Sequence, residues 1–370
     1  MRTCFVCLRR VTPALLALVW LSAPAVAQQA PPAAPKPPDD TPSIRIGAVI
    51  FADYTITQQP KAVDVDGNEI TPNAFTVGRA YINVTGRVSP LISFRITPDI
   101  ARESGAGSSL SGSQTFRLKY AYAQFNLDEW TTRGTWARLG MQQTPWVDFE
   151  ESVYRYRFQG TIFADREGFI SSSDVGVSFR YAFDGDYGDV HAGLYNGETY
   201  TRPEANDQKG FMVRGTVRPL PAHAALRGLR LSGFYDHDAY VRDAERRRAI
   251  VAATFEHRYV NAAFSYLAAA DQPRAAAREV DARGWSIWAT PRMGAGGTGW
   301  EGLLRFDRLE PDTDRDARRT RTIAGIAYWF PRRGSATSAL LFDVEHVDND
   351  AFLPARPDER RLAVHMLVSF

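Results

Sequence analysis

Residues 361–370 read RLAVHMLVSF. Leu362, Val364, Met366, Val368 and Phe370 fall on every second position. A period of two puts them on one face of a pleated strand. The same alternation runs back through the chain to Ile44, in segments of about ten residues separated by Gly, Pro, Asp and Asn clusters. Sixteen such segments read as strands: 44–53, 74–88, 90–98, 115–127, 135–143, 174–183, 187–196, 210–218, 228–237, 246–256, 258–268, 282–290, 299–309, 320–330, 338–347 and 360–370. In the second, Ala80, Ile82, Val84 and Val88 share one face and Arg79, Tyr81, Asn83, Thr85 and Arg87 the other. In the eighth, Phe211, Val213 and Val217 oppose Arg214, Thr216 and Arg218; in the tenth, Ala249, Val251, Ala253 and Phe255 oppose Arg248, Thr254 and Glu256. The composition agrees, with 12% aromatic residues, which suit a pleated surface.

The N-terminus bounds the compartment. Arg9 and Arg10 precede an apolar run, Val11–Leu21, too short to span a membrane, and Ala25-Val26-Ala27 is an A-x-A cleavage site. Residues 1–27 therefore read as a secretory signal peptide. Cys4 and Cys7, the two cysteines of the chain, lie inside it, so the exported protein has no disulfide to hold it. Loss of Arg2, Arg9 and Arg10 takes Lys+Arg from 44 to 41 against 42 Asp+Glu. That balance gives no basic face for nucleic acid. Residues 28–43, QQAPPAAPKPPDDTPS, read as an extended tether on the periplasmic side. Beyond it no stretch approaches the roughly 20 apolar residues of a transmembrane helix, so a membrane would be crossed by a barrel, residues 44–370.

The connections suggest which kind. Those after odd strands are mostly long and those after even strands mostly short, as in outer-membrane barrels with long external loops and tight periplasmic turns. Pairing the last strand with Ile44–Asp53 would close the sheet and remove both edges. The expected fold is all-β: a sixteen-stranded antiparallel transmembrane barrel, wide enough for an aqueous lumen. The longest connection, about 144–173, has no sustained strand or helix period. Its aromatic content (Tyr154, Tyr156, Phe158, Phe163) suggests that it folds inward against the wall, where Tyr120 and Tyr122 could pack on it.

Three motifs carry a resemblance. Gly140-Met-Gln-Gln-Thr-Pro145-Trp146, Asp165-Arg166-Glu167 followed by Ser173-Asp174-Val175-Gly176-Val177, and Lys119-Tyr-Ala-Tyr-Ala-Gln-Phe125 are similar to motifs of the phosphate-selective porin O and P family. The resemblance implies a trimeric outer-membrane porin whose third loop enters the lumen. The best-known members select phosphate with lysines and an arginine ladder; no lysine cluster maps onto this chain. The last strand also resembles the assembly signal of bacterial barrels in Val364, Met366, Val368 and Phe370.

The facing pattern assigns the lumen charges. Arg79, Arg87, Arg95, Arg138, Arg214, Arg218 and Arg230 form a basic wall on the early strands. Glu256, Glu301, Asp307, Asp343 and Glu345 form an acidic one on the later strands, with Arg248, Arg305 and Arg361 among them. Opposed walls of charge would favour small polar or charged solutes. The expected constriction combines Arg79, Arg87, Arg95, Tyr120, Tyr122 and Arg138 with Arg155, Arg157, Asp165, Arg166 and Glu167 of the loop.

The chain has no Gly-x-Ser-x-Gly, His-Glu-x-x-His or P-loop, and the six histidines are scattered. The expectation is a passive channel for small polar solutes in a Gram-negative outer membrane, with weak preference for phosphate or organic anions. It needs no cofactor and no metal. Its partners are outer-membrane lipid and lipopolysaccharide, the barrel-assembly machinery and two further copies in a homotrimer. The alternatives are an outer-membrane barrel hydrolase and an exported soluble β-sandwich that binds glycans.

Overall fold

The structure, a computed structural model, describes residues 42–370 apart from 104, 106, 295 and 333. The expected signal peptide and nearly all of the expected tether lie outside the described residues.

Sixteen strands form one closed antiparallel barrel. They are β1 (Ser43–Gln59), β2 (Asn73–Arg87), β3 (Ile92–Arg102), β4 (Gln114–Asn126), β5 (Trp136–Gln143), β6 (Ser173–Ala182), β7 (Gly188–Tyr195), β8 (Gly210–Val217), β9 (Leu229–Val241), β10 (Ala244–His257), β11 (Val260–Asp271), β12 (Val280–Pro291), β13 (Gly299–Glu310), β14 (Arg318–Trp329), β15 (Thr337–Asp350) and β16 (Glu359–Ser369). Each pairs with its sequence neighbours, and β1 closes on β16 with Val49 opposite Ser369 and Ile56 opposite Leu362. Ala48 and Phe370 exchange both backbone hydrogen bonds, at 3.1 and 3.0 Å, so the last residue completes the ladder. Every one of the sixteen expected segments is a barrel strand. Apart from a two-stranded ribbon that pairs 62–63 with 69–70, the described strands all belong to the closed barrel, which leaves no place for a stack of sandwiches.

Alternation follows the pleat. Ile82, Val251, Val364, Met366 and Phe370 are exposed, whereas Tyr81, Ile250, Ala363 and His365 are buried. Strand ends differ from the sequence reading. The segments expected at 228–237 and 246–256 extend until only Arg242 and Asp243 separate β9 from β10, so this odd connection is a tight turn. Among the added residues, Asp238 lies opposite Arg246 and pairs with it. Ladder pairing continues to Val241 opposite Ala244.

Besides a register shift in β1 between Thr57 and Gln59, two bulges of the early strands lie near the candidate site. Opposite β1 the register shifts between Phe51 and Ala52, with Gly78 the extra residue. Opposite β3 it shifts between Thr97, which faces Tyr120, and Pro98, which faces Leu118. Lys119 is the extra residue here. One added residue reverses the facing of the strand on its far side. Phe116 and Leu118 are exposed, while Lys119 and Tyr120, consecutive in sequence, are both buried.

Candidate functional site

The connection between β5 and β6 is built, not irregular. Gly140, opposite Gly176 in the ladder, has φ +122°, and a Cβ there would lie 2.4 Å from the Ala121 carbonyl oxygen. That left-handed conformation favours glycine. Thr144 then enters a helix, α1 (Pro145–Val153), with proline in its first turn, where the missing N–H costs nothing. A second turn of helix, α2 (Phe163–Arg166), follows. The sequence reading expected no helix here. Nine residues give too few turns for a period to show, and α1 buries Trp146, Val147, Phe149, Glu150 and Val153 on several sides at once.

The connection packs along the wall from β8 to β15. Trp146 lies against Phe234 of β9, Tyr154 against Trp288 of β12, and Tyr156 and Phe158 against Trp329 of β14. Phe163 fits over Gly284 of β12, where a Cβ would meet its ring at 2.6 Å. Phe158 also reaches Phe51 of β1. The apolar seat is completed by Ile250, Leu267, Leu303, Ile323 and Leu341. These side chains share the face that carries the wall charges, so that face is not polar throughout.

Backbone groups buried by this packing need partners, and wall side chains supply them. Arg214 donates to the Pro145 carbonyl (3.1 Å), Asn261 to Val153 (3.3 Å), Arg305 to Thr161 (2.8 Å) and Arg248 to Phe169 (2.8 Å). Three arginines assigned to the lumen from sequence thus hold the connection in place. Glu150 is buried with its carboxylate accepting from Trp146 Nε1 at 2.7 Å. Burial pushes its carboxyl up to about 7, against the opposing pull of Arg305.

Each carboxylate of the expected acidic wall has a cationic or histidine partner. Glu301 pairs with Arg292 at 2.6 Å and with Arg155 at 3.7 Å; Asp307 pairs with Arg305 at 2.8 Å. Glu345 pairs with Arg321 and, at 3.7 Å, with Arg166; Asp343 lies 3.0 Å from His365. Glu167 pairs with Arg319 at 2.8 Å. Arg155 also stacks 3.3 Å over the Trp329 ring. Arg155 and Arg166 therefore face the wall. Arg157 instead pairs with Glu151 of its own connection. Asp165 is part-buried, and burial raises its carboxyl above the usual range.

The early strands look different. Arg79 lies 3.4 Å from Asp99, and Arg95 donates to Asn83 at 2.8 Å while stacking on the Tyr120 ring. Arg138 donates to Gln124 at 2.8 Å and stacks on Trp136 and Tyr122. Arg87 sits at the end of β2 and donates to the Ser89 carbonyl at 3.3 Å. Three participants were not anticipated. Lys119 donates to the Tyr81 hydroxyl at 3.2 Å, and Arg117 donates to Tyr200, from the connection after β7, at 3.0 Å. The Lys119 bulge was visible as a slip in alternation between Leu118 and Ala121; nothing in the sequence pointed to Tyr200. Two crevices open on this side, the first against the connection at residues 157–161 and the second among strand residues alone. The first, of about 560 Å³, is lined by Asp53, Arg79, Arg157 and Glu345; the second, of about 500 Å³, by Arg45, Arg87, Arg95 and Tyr122.

No protein-family model matches the sequence, and no curated protein matches it. Solved structures do. The anion-selective porin of Comamonas acidovorans is 10% identical over 89% of this chain and 100% of its own, with a TM-score of 0.64. A loop-L8 deletion mutant of OmpT, an outer membrane protein of Vibrio cholerae, is 13% identical over 90% and 100%, with a TM-score of 0.60. The outer membrane channel DcaP of Acinetobacter baumannii is 11% identical over 89% and 97%, with a TM-score of 0.58. At such identities the likeness is one of architecture, and the chain has the fold of bacterial outer-membrane porins.

Proposed function

We propose that the protein is a passive diffusion channel of a Gram-negative outer membrane, taking small polar solutes with a weak preference for phosphate or organic anions. One observation carries this reading. Residues 144–172 touch β1 and each strand from β8 to β15 of a closed barrel, an arrangement accessible to one segment lying within the lumen. A sixteen-stranded barrel holds an aqueous interior, and the segment would narrow it to the crevices along β1–β5. There Arg79, Arg87, Arg95, Arg138 and Arg157, with Tyr120 and Tyr122, would form the constriction. The similar Comamonas porin is anion-selective, which supports the same sign here.

On this reading residues 1–27 direct export, 28–43 tether the barrel on its periplasmic side, and Val364, Met366, Val368 and Phe370 address it to the assembly machinery. Lipid and lipopolysaccharide would surround the exposed apolar belt, and the assembly would be a homotrimer; OmpT of Vibrio cholerae has a trimer form. Planar-bilayer recording under a salt gradient tests the proposal. Discrete channels with chloride more permeant than potassium are expected, and Arg157→Glu should move the reversal potential toward cations. Absence of any conductance would sink the channel; cation selectivity of the unaltered protein would sink the basic constriction alone.

A further inference from the structure

The crevice of about 560 Å³ beside the tip of the connection carries charges of both signs. Most are committed. Glu345 pairs with Arg321, Asp343 with His365, and Arg157 with Glu151. Asp53 of β1 is different: its carboxylate accepts from the hydroxyls of Thr55 (2.9 Å) and Thr76 (3.3 Å), and among the described residues no cation pairs with it. The bulge residue Gly78 lies beside it, where a Cβ would be in ordinary contact at 3.9 Å from Asp53 Oδ2. The next residue is Arg79, whose side chain keeps 29% of its exposure and whose contact to Asp99 is long at 3.4 Å. Asp53 and Arg79 line the same crevice from adjacent strands without forming an ion pair with each other.

Resting on the channel reading above, we propose that this crevice is a transient site for zwitterionic solutes, the α-amino acids and the shortest peptides. The ammonium group would sit on Asp53, with Asp343 and Glu345 behind it. The carboxylate would sit on Arg79, with Arg157 beyond. A simple anion finds its partner on Arg79 alone, and a simple cation on Asp53 alone. A solute with both charges a few bonds apart meets a partner at each end. Weak, partly exposed pairs suit transport, which needs binding loose enough to release.

The test is isosmotic swelling of proteoliposomes holding the full exported chain, with L-serine and the uncharged polyol erythritol, of similar mass, as solutes. L-serine should enter roughly threefold faster than erythritol, the scale expected of two partly exposed ion pairs. D53N and R79Q should each bring the ratio toward one, with folding of each variant checked by heat-modifiable gel mobility. A ratio near one in the unaltered protein overturns the inference, as does a ratio that neither variant changes. If a variant does not fold, single-channel recording of the unaltered protein decides: added L-serine must lower the current more than added erythritol. Failure of erythritol itself to enter would be a failure of the channel reading and would overturn the site with it.

Discussion

The two halves of the barrel wall treat the same face of the sheet in opposite ways. From β9 to β15 nearly every strand offers a large apolar side chain to the β5–β6 connection: Phe234, Ile250, Leu267, Trp288, Leu303, Ile323 and Leu341. The arginines among them, Arg248 and Arg305, donate to its backbone carbonyls. From β2 to β5 the corresponding positions are Arg79, Arg95, Lys119, Tyr120 and Arg138, which bond to one another's neighbours and leave crevices open. One half is an apolar seat and the other a polar wall with crevices in it. Charge type alone does not separate them, since both are rich in arginine. What separates them is whether an apolar side chain sits between the charges.

The contrast is most strongly perturbed by removing what sits on the seat. Replacing residues 146–170 by a short Gly-Ser turn should raise single-channel conductance severalfold, because the interior of a sixteen-stranded barrel is far wider than the crevices. An unchanged conductance would mean that the connection does not narrow the passage at all. A smaller perturbation is Trp146→Ala. Trp146 is fully buried against Phe234 and donates to Glu150. Its loss should weaken docking of the connection by about 3–5 kcal/mol and make residues 144–172 cleavable by protease in the intact barrel. Resistance equal to that of the unaltered protein would show that the apolar seat is not what holds the segment.

The strands were readable because apolar residues recur at every second position on the outward face, and Arg361–Phe370 shows that period without interruption. The seat was not readable from the same rule. In 262–268, AAFSYLA, both faces carry apolar residues, so Leu267 is indistinguishable from an outward residue until its partner is known. Lys119 was hidden by a bulge that a one-residue slip in alternation marks only weakly. The sequence names the charged residues of the connection as one group. Their division into Arg155 and Arg166 on the wall and Arg157 on Glu151 depends on distances that no spacing encodes. The tight turn at Arg242 and Asp243 shows the same limit at the strand ends, where the ladder runs past the expected ends at 237 and 246.

The smallest expected effect concerns an acid of the connection buried against the seat. Glu150 is enclosed by Trp146 and the wall, and burial raises its carboxyl from an ordinary 4.5 to about 7. The folded state therefore holds the proton more tightly than the unfolded chain. Between pH 4.5 and about 7 the folded form binds more protons, so stability falls as pH rises. The contribution is fully present below the lower value and is lost as the pH passes the upper one, with a total on the order of 3 kcal/mol. Glu150→Gln keeps an acceptor for Trp146 Nε1 and removes the titration. The midpoint of heat-modified gel mobility should thus be higher at pH 5 than at pH 8 for the unaltered protein, and E150Q should shrink that gap by raising the pH 8 midpoint. A gap that survives in E150Q would place the pH dependence elsewhere. A lower pH 8 midpoint in the variant would mean that Arg305 stabilises the carboxylate more than burial penalises it, and the seat would then be held by charge rather than by apolar contact.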